Sequence, residues 1–370
     1  MSMNYVPVLE APPLNLKIED SSQMFAKIRV IGVGGGGGNA LTRMIKTGVS
    51  GVEFLFANTD LQALTRCPAA RKLQLGETVT FGRGAGANPD LARRSALADT
   101  TRIMEVLGGA DMVFVAAGLG GGTGTGAAPV VAALAREMGI LSVAIVTLPF
   151  AFEGKRRLRQ AEAGLAELYA CADAVVVIHN DRLLESQDAG TPLTNAFHMV
   201  DDLMRDAVWA VTDLITDSGF INLDFADVRT TMSEMGSALM GTGRASGENR
   251  AERAALAAIS SPLFDDNSIA GARNVIVSVA GGLDLTLHEV SAAASVIHDL
   301  VDVNAEIIFG STLDESLNDT VRVTVIANGR AHAAAGAGAG VDVENTDAAF
   351  QPFDERMAYE PAYLRKRALG

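Results

Sequence analysis

The stretch Leu119 to Gly126, which reads LGGGTGTG, constrains the fold of this chain most strongly because five of its eight residues are glycine. It follows an apolar run, Met112 to Ala117, that predicts a strand, and it precedes a run, Ala127 to Met138, that predicts a helix. Glycine lets backbone N–H groups approach a ligand with no Cβ in the way. The first N–H groups of a helix are unpaired and carry partial positive charge. A strand, a glycine loop and a helix in this order therefore predict a phosphate site.

Two further loops of small residues lie earlier in the chain. Gly34 to Gly38 follows a predicted strand, Lys27 to Val33, and precedes a predicted helix, Ala40 to Lys46. The strand predicted next is Val52 to Ala57, and the third loop, Gly82 to Pro89, reads GRGAGANP. The third loop is also compatible with an ordinary surface turn. Together the three loops predict a surface that wraps around a chain of phosphates.

Composition excludes several classes of protein. A length of 370 residues predicts about two domains. A net charge of -14 argues against nucleic acid as a partner, since phosphate backbones are bound by Lys and Arg. Two cysteines form no disulfide framework and are typical of a reducing cytosol. No run approaches the ~18 apolar residues that span a bilayer, so we predict a cytoplasmic protein with no direct membrane insertion.

A dinucleotide-binding oxidoreductase is the nearest alternative. Gly32, Gly34 and Gly37 fit the pattern G-x-G-x-x-G, and Glu53 follows at the spacing of the ribose-binding acid. However, Glu53 begins its predicted strand, whereas the ribose-binding acid ends it. The glycine loop at 119–126 is also unexplained by that fold. No Walker A motif occurs, because the only Gly-Lys pair, Gly154-Lys155, is followed by arginine.

The pattern of apolar residues along the rest of the chain predicts two domains, each built from layers of strands and helices. Wholly apolar runs at Leu141 to Leu148 and Ala174 to Ile178, alternating with helices, predict a parallel sheet covered on both faces. Ligands of such sheets bind at the carboxyl ends of the strands. The longest helical pattern, Thr194 to Asp217, would span roughly 35 Å. Strands predicted at Asn274 to Ala280 and Val321 to Ala327 indicate a smaller α+β domain beyond it.

Two charged clusters each allow two interpretations. Lys155, Arg156, Arg157 and Arg159 either begin a solvated helix or face a phosphate or ribose. Asp224 and Asp227 lie three residues apart at the head of a predicted helix, where capping of backbone N–H groups is the simpler interpretation.

The order of the motifs resembles that of a known family. It runs GVGGGGGNA, ANTD, GAGANP, GGGTGTGAAPVVA, PFAFEGKRR, NDRLL and NLDFADVRTTMSEMGSALMGTG. It resembles the FtsZ family, the bacterial relatives of tubulin, over about residues 26–329. The resemblance implies a Rossmann-like parallel-sheet GTP-binding domain that a long central helix joins to a smaller α+β domain. It also implies a GTPase that polymerises head to tail into the filaments of the division ring.

The same resemblance assigns site residues. Phosphates would be bound by Gly35 to Asn39 and Gly122 to Gly124, ribose and phosphate by Glu153 and Arg157, and guanine by Asn180 and Asp201 beside Phe197. The full set for GTP or GDP is Gly35, Gly36, Gly37, Gly38, Asn39, Gly122, Thr123, Gly124, Glu153, Arg157, Asn180 and Asp201. Mg²⁺ would be held mainly by the nucleotide phosphates, with no metal site of the protein's own. The expected catalytic residues, which would act on the nucleotide of the next subunit, are Asn222, Asp224 and Asp227.

Six segments follow from composition and resemblance together. They are a disordered arm (1–24), a GTP-binding domain (25–193), a central helix (194–218), an α+β domain (219–329), a flexible linker (330–358) and a docking peptide (359–370). Through Pro361, Tyr363, Leu364 and Arg365 the last segment is expected to bind membrane-tether and division-regulator proteins, which would bring the filament to midcell under the inner membrane. The alternative, a tubulin-like filament that positions plasmid or phage DNA, is disfavoured by this docking tail.

Overall fold

The computed structural model describes residues 26–185, 190–215, 219–221, 224–264, 269 and 271–328. All of these belong to one compact unit, Met1–Ala331. The predicted amino-terminal arm, linker and docking peptide lie outside the described residues, as does Asn222.

Eleven strands of the described chain form one sheet. In chain order they are β1 (Ile28–Val33), β2 (Val52–Asn58), β3 (Arg71–Gln74), β4 (Met112–Gly118), β5 (Leu141–Leu148), β6 (Ala174–His179), β7 (Gly219–Ile221), β8 (Gly236–Ser246), β9 (Asn274–Gly281), β10 (Glu306–Leu313) and β11 (Thr320–Asn328). Their order across the sheet is β3-β2-β1-β4-β5-β6-β8-β11-β9-β10-β7. The first six strands in this order pair in parallel, as the apolar runs predicted.

Twelve α-helices accompany this sheet in the described residues. They are α1 (Gly34–Lys46), α2 (Leu61–Arg66), α3 (Glu77–Thr80), α4 (Pro89–Ala98), α5 (Thr100–Leu107), α6 (Thr123–Glu137), α7 (Lys155–Cys171), α8 (Asn180–Glu185), α9 (Leu193–Ile215), α10 (Phe225–Met235), α11 (Arg250–Ile259) and α12 (Leu287–His298). None of the helices in the described ranges is both long and apolar enough to cross a bilayer.

The parallel strands are buried on both faces, which explains their unbroken apolar sequence. Met112 and Phe114 of β4 pack into one core with α1 and α9. Val113 and Val115 of the same strand pack into a second core with α6. Successive side chains of a strand point to opposite faces, so β4 contributes to both cores.

The second half of the sheet is built differently. β8 pairs with β6 in parallel over three residues and with β11 along most of its length in antiparallel fashion, which joins the two halves into one continuous sheet. The sequence pattern did not predict β8, because its glycines obscure the alternation of a strand. A Cβ at Gly241 or Gly243 would lie 2.1 Å from a carbonyl oxygen of α11. These glycines let the helix pack directly on the strand.

Both predicted phosphate loops turn out to be shorter than expected. Helix α1 begins at Gly34 and helix α6 at Thr123, so the predicted starts at Ala40 and Ala127 were wrong. Glycine's low helix propensity suggested loops here, but tertiary contacts override it. A Cβ at Gly37 would lie 2.2 Å from the carbonyl oxygen of Ala116 in β4. Glycine is therefore required because the helix lies so close to the strand.

Candidate functional site

A cleft of about 590 Å³ opens at the carboxyl ends of the parallel strands. This is the edge of an open α/β sheet where ligands bind, and the volume suits a small-molecule site. The predicted residues that line it are Gly35, Gly36, Asn39, Gly122, Thr123, Gly124, Glu153, Arg157, Asn180, Phe197 and Asp201.

Two helices begin at this cleft without a side-chain cap. The N-cap residues are Val33 for α1 and Gly122 for α6, and neither first turn contains an acidic residue. By contrast, Asp60 caps α2 and Asn88 caps α4 through their side chains. The uncapped N–H groups of α1 and α6 and the partial positive charge of both helices converge on the cleft, which makes it a site for an anion.

Glycine is needed where the two helix starts meet. Gly34 has a φ of 72°, and a Cβ there would lie 2.7 Å from the backbone nitrogen of Gly124. Gly37 and Gly38 are buried and do not line the cleft. A Cβ at Gly38 would lie 2.5 Å from the ring of Phe56. Both residues thus let α1 pack on the sheet, whereas Gly35 and Gly36 form the surface of the cleft.

Two of the small-residue loops, Gly82 to Pro89 and Leu119 to Gly126, meet at Thr59 and Gly122. The hydroxyl of Thr59 lies 2.8 Å from that of Thr123 in a buried hydrogen bond. The N–H of Gly84 donates to the carbonyl of Thr59 at 3.1 Å. A Cβ at Gly122 would lie 2.9 Å from the side chain of Ala85. The third loop is therefore a wall of the cleft rather than an ordinary surface turn.

The other end of the cleft carries groups suited to a heterocyclic base. Phe197, Asp201 and Met204 line it from one face of α9, as spacings of three and four residues allow. The ring of Phe197 is 41% exposed and meets Phe150 edge to face at 5.4 Å. Asn180 is only 5% exposed, yet its Oδ1 accepts no hydrogen bond in the described structure. A buried acceptor without a donor is costly, so a ligand with an N–H group fits here.

Asp201 has an unusual ionisation. Burial raises the pKa of this carboxyl to about 7, the neighbouring Asp202 adds to the increase, and Arg43 opposes it. Arg43 itself binds Asp202 through two hydrogen bonds, of 2.7 and 3.0 Å. The carboxylate that faces the base end of the cleft is therefore easily protonated near neutral pH.

The basic cluster contributes one side chain to the cleft. Arg157 lines it and forms an ion pair with Glu153, which also accepts a hydrogen bond from the N–H of Phe150 at 3.1 Å. Lys155, Arg156 and Arg159 are exposed and do not line it. Lys155, Arg156 and Arg159 thus fit the interpretation of a solvated helix start, whereas Arg157 lies where a role in phosphate or ribose binding stays a prediction.

Four polar lining residues were not predicted as site residues. They are Asn58, Asp60, Arg83 and Thr147. Asn58 ends β2 and Thr147 lies next to the end of β5, so their position at the carboxyl ends of predicted strands was a usable signal. Arg83 gave none, because it is a single charged residue inside a glycine loop.

The predicted catalytic carboxylates lie elsewhere. Asp224 and Asp227 are exposed at the start of α10, and Asp224 makes no side-chain capping hydrogen bond, so the capping interpretation was wrong for Asp224. Further along the helix, Arg229 donates to the carbonyl of Gly139 at 2.8 Å. Gly139 precedes β5, whereas the cleft borders the carboxyl end of that strand. Eight strand residues, about 26 Å, therefore separate this region from the cleft.

The fold and the cleft are those of a nucleotide-binding α/β protein, with two uncapped helix starts at the cleft. Residues 27–188 match the model of the Tubulin/FtsZ family GTPase domain, and residues 236–331 match that of the FtsZ family C-terminal domain. The chain belongs to the FtsZ family of GTPases.

Named relatives agree with this assignment. "Cell division protein FtsZ" of Buchnera aphidicola subsp. Schizaphis graminum is 50% identical over 304 residues, 82% of this chain and 79% of the relative. The protein of the same name from Bartonella bacilliformis is 51% identical over 316 residues, 85% of this chain but 53% of the relative, so this chain spans about half of it. The solved structure "FtsZ dimer, empty (M. jannaschii)" has 43% identity and a TM-score of 0.79, covering 82% of this chain and 88% of that chain.

Proposed function

We propose that this chain is a cell-division GTPase that binds GTP in the cleft and hydrolyses it within head-to-tail filaments. The relatives named above are cell-division proteins, and one solved relative is a dimer. The alternative of a filament that positions plasmid or phage DNA is not favoured by these relatives.

In this proposal the nucleotide spans the cleft from base to phosphates. The phosphates would meet the N–H groups at the starts of α1 and α6, where a Cβ on Gly35 would meet no atom of the protein within 4 Å and would narrow the approach of the phosphates. Guanine presents N–H donors at N1 and N2, which suit the carboxylate of Asp201 and the unpaired Oδ1 of Asn180. Adenine lacks both of those donors, so the same groups would reject it.

Mg²⁺ would accompany the nucleotide, bound mainly by phosphate oxygens. Near the phosphate end the protein offers the carboxylate of Asp60 and the hydroxyl of Thr123, which are oxygen donors of the kind that Mg²⁺ prefers. The cation supplies neutralisation of phosphate charge when it is bound.

The observation that carries the filament mechanism is the distance between the cleft and the acidic start of α10. Arg229, on the helix that Asp224 and Asp227 begin, contacts Gly139 just before the amino end of β5, whereas the cleft lies at the carboxyl end of that strand. In one subunit these carboxylates and the cleft cannot meet, but two subunits stacked end to end bring them together. The carboxylates would then orient the water whose oxygen attacks the γ-phosphorus as the bond to the β–γ bridging oxygen breaks, giving GDP and phosphate.

A mixing experiment tests this arrangement. Asp201→Asn weakens the cleft but keeps the acidic end, whereas Asp224→Ala removes the acidic end but keeps the cleft. Each variant alone should hydrolyse GTP slowly. In an equal mixture, at a GTP concentration that fills the intact cleft but not that of Asp201→Asn, about a quarter of random contacts join an intact cleft to an intact acidic end, so turnover should recover to roughly that share of the unmodified rate.

A control variant on the same helix tests whether the effect is specific to Asp224. Glu234→Ala removes an exposed acid further along α10 and should leave turnover unchanged. If the mixture is no more active than the mean of its two components, the carboxylates do not act on a neighbouring subunit.

We further propose that the carboxyl-terminal peptide, with Pro361, Tyr363, Leu364 and Arg365, binds a membrane tether and division regulators, so that filaments assemble at midcell under the inner membrane. Deleting residues 359–370 should leave GTP turnover intact and abolish the midcell band of a fluorescent fusion. A band that survives the deletion would reject this role.

A further inference from the structure

We propose that Arg83 binds the γ-phosphate of GTP and makes the cleft prefer nucleoside triphosphate over diphosphate. This inference rests on the proposed function, because it takes the ligand of the cleft to be a guanine nucleotide. The sequence predicted that the loop Gly82 to Pro89 helps to wrap the phosphates, but it did not single out the side chain of Arg83.

The backbone around Arg83 is held firmly. Its flanking residues Gly82 and Gly84 adopt φ values of 72° and 79°, which favour glycine. The N–H of Leu61 donates to the carbonyl of Gly82 at 3.0 Å, and the N–H of Arg83 donates to that of Thr80 at 3.0 Å. The loop also forms a β-bridge with Asp60. Arg83 thus lines the cleft from a fixed backbone position.

The position of Arg83 corresponds to the far end of a bound nucleotide. Asn180 follows β6, while Asp60, the bridge partner of Arg83, follows β2. Four strand spacings separate β2 from β6, about 19 Å. A nucleotide with its base at Asn180 therefore extends its phosphates across β5, β4 and β1 toward β2. The last phosphate of the chain is the one nearest Arg83.

Charge in the cleft gives a second, independent argument. The charged residues that line it are Asp60, Arg83, Glu153, Arg157 and Asp201. Arg157 is paired with Glu153. In the described part of the chain the guanidinium of Arg83 has neither an ion-pair nor a hydrogen-bond partner. Arg83 is thus the lining cation without a partner among the described residues, and guanidinium binds phosphate oxygens in a bidentate manner.

The test compares affinity for two nucleotides. Equilibrium dissociation constants for GTP and GDP would be measured with Mg²⁺ at protein concentrations below assembly. Arg83→Gln should weaken GTP binding about tenfold, at the lower end for a charged hydrogen bond because the residue is exposed. GDP binding should change by less than about twofold, because GDP lacks the phosphate that Arg83 contacts. Arg83→Lys should recover part of the lost GTP affinity, since lysine keeps the positive charge but lacks the paired N–H groups with which guanidinium binds two phosphate oxygens.

A control variant tests whether the effect is specific to Arg83, and separate outcomes distinguish failure of this inference from failure of the proposed function. Arg94→Gln removes the same charge from an exposed position on α4 outside the cleft and should change neither constant. Failure of the unmodified protein to bind GTP would reject the proposed function itself. Normal GTP binding by the unmodified protein, with an unchanged GTP-to-GDP ratio in Arg83→Gln, would overturn only this inference. A variant altered solely in its critical concentration for assembly would also overturn it, by assigning Arg83 to the subunit contact.

Discussion

The affinity of this protein for GTP should depend on pH through Asp201. Burial, with Asp202 adding to its effect, raises the pKa of this carboxyl to about 7 in the nucleotide-free protein. Because the pKa is raised, the neutral form dominates below about 7 and the carboxylate dominates above it. Guanine donates N–H groups to the carboxylate, so binding must first remove the proton at low pH. Binding at or below neutral pH should therefore release a proton.

The size of the effect follows from that pKa. With a pKa of about 7, roughly one molecule in ten is ionised at pH 6, so GTP binding should be weaker there by about tenfold than at pH 8. Titration calorimetry between pH 6 and 8 in buffers of different ionisation enthalpy measures both the affinity and the released proton.

A single substitution isolates this group from the titration of the nucleotide's own phosphates. Asp201→Asn cannot ionise, so it should bind GTP about tenfold or more weakly at pH 8 and retain only the pH dependence of the phosphates. If the unmodified protein and Asp201→Asn show the same dependence between pH 6 and 8, Asp201 does not contact the base as an anion.

Two further predictions concern stability. Burial raises the pKa of Asp213 to about 7, so the folded protein loses stability progressively as pH rises from about 4 to 7, where this carboxyl is ionised in the unfolded chain but still neutral in the fold. Asp213→Asn should therefore raise the free energy of unfolding at pH 8 by up to about 4 kcal/mol and hardly change it at about pH 3.5, below the pKa of the unfolded chain. Fluorescence of the single tryptophan, Trp209, reports the unfolding, and an equal gain at both pH values would contradict the assignment. Gly37→Ala should lower Tm sharply because its Cβ would lie 2.2 Å from a carbonyl oxygen. Gly35→Ala, with nothing within 4 Å, should keep Tm and weaken GTP binding; the reverse pattern in thermal melts would refute the division of roles between these glycines.

The sequence predicted the parallel half of the fold well. Strands that are buried on both faces, such as β5, are apolar at nearly every position, and such apolar runs can be recognised in the amino-acid sequence alone. It also located one wall of the cleft, because a glycine loop between such a strand and a helix is typical of an anion-binding turn.

Other features depend on contacts between distant residues and could not be predicted locally. The early starts of α1 and α6 and the existence of β8 arise where glycines allow one backbone to approach another, as at Gly37 and Gly241. Asn180 and Asp201, at the proposed base end, were predicted only from the family resemblance. No regular spacing in the sequence indicates that a residue after β6 lies near one on α9. The loop of Arg83 was predicted to share a surface with that of Thr123, but only the three-dimensional cleft shows that Arg83 itself lines it.

The central claim is that GTP is hydrolysed at the contact between two subunits. GTP turnover per subunit, measured against protein concentration, tests this claim most directly. The account predicts almost no turnover at high dilution, a threshold, and then a rate per subunit that rises to a plateau as filaments form. Light scattering recorded in parallel should rise at the same threshold. A rate per subunit that stays constant through dilution, in protein that remains monomeric, would contradict it.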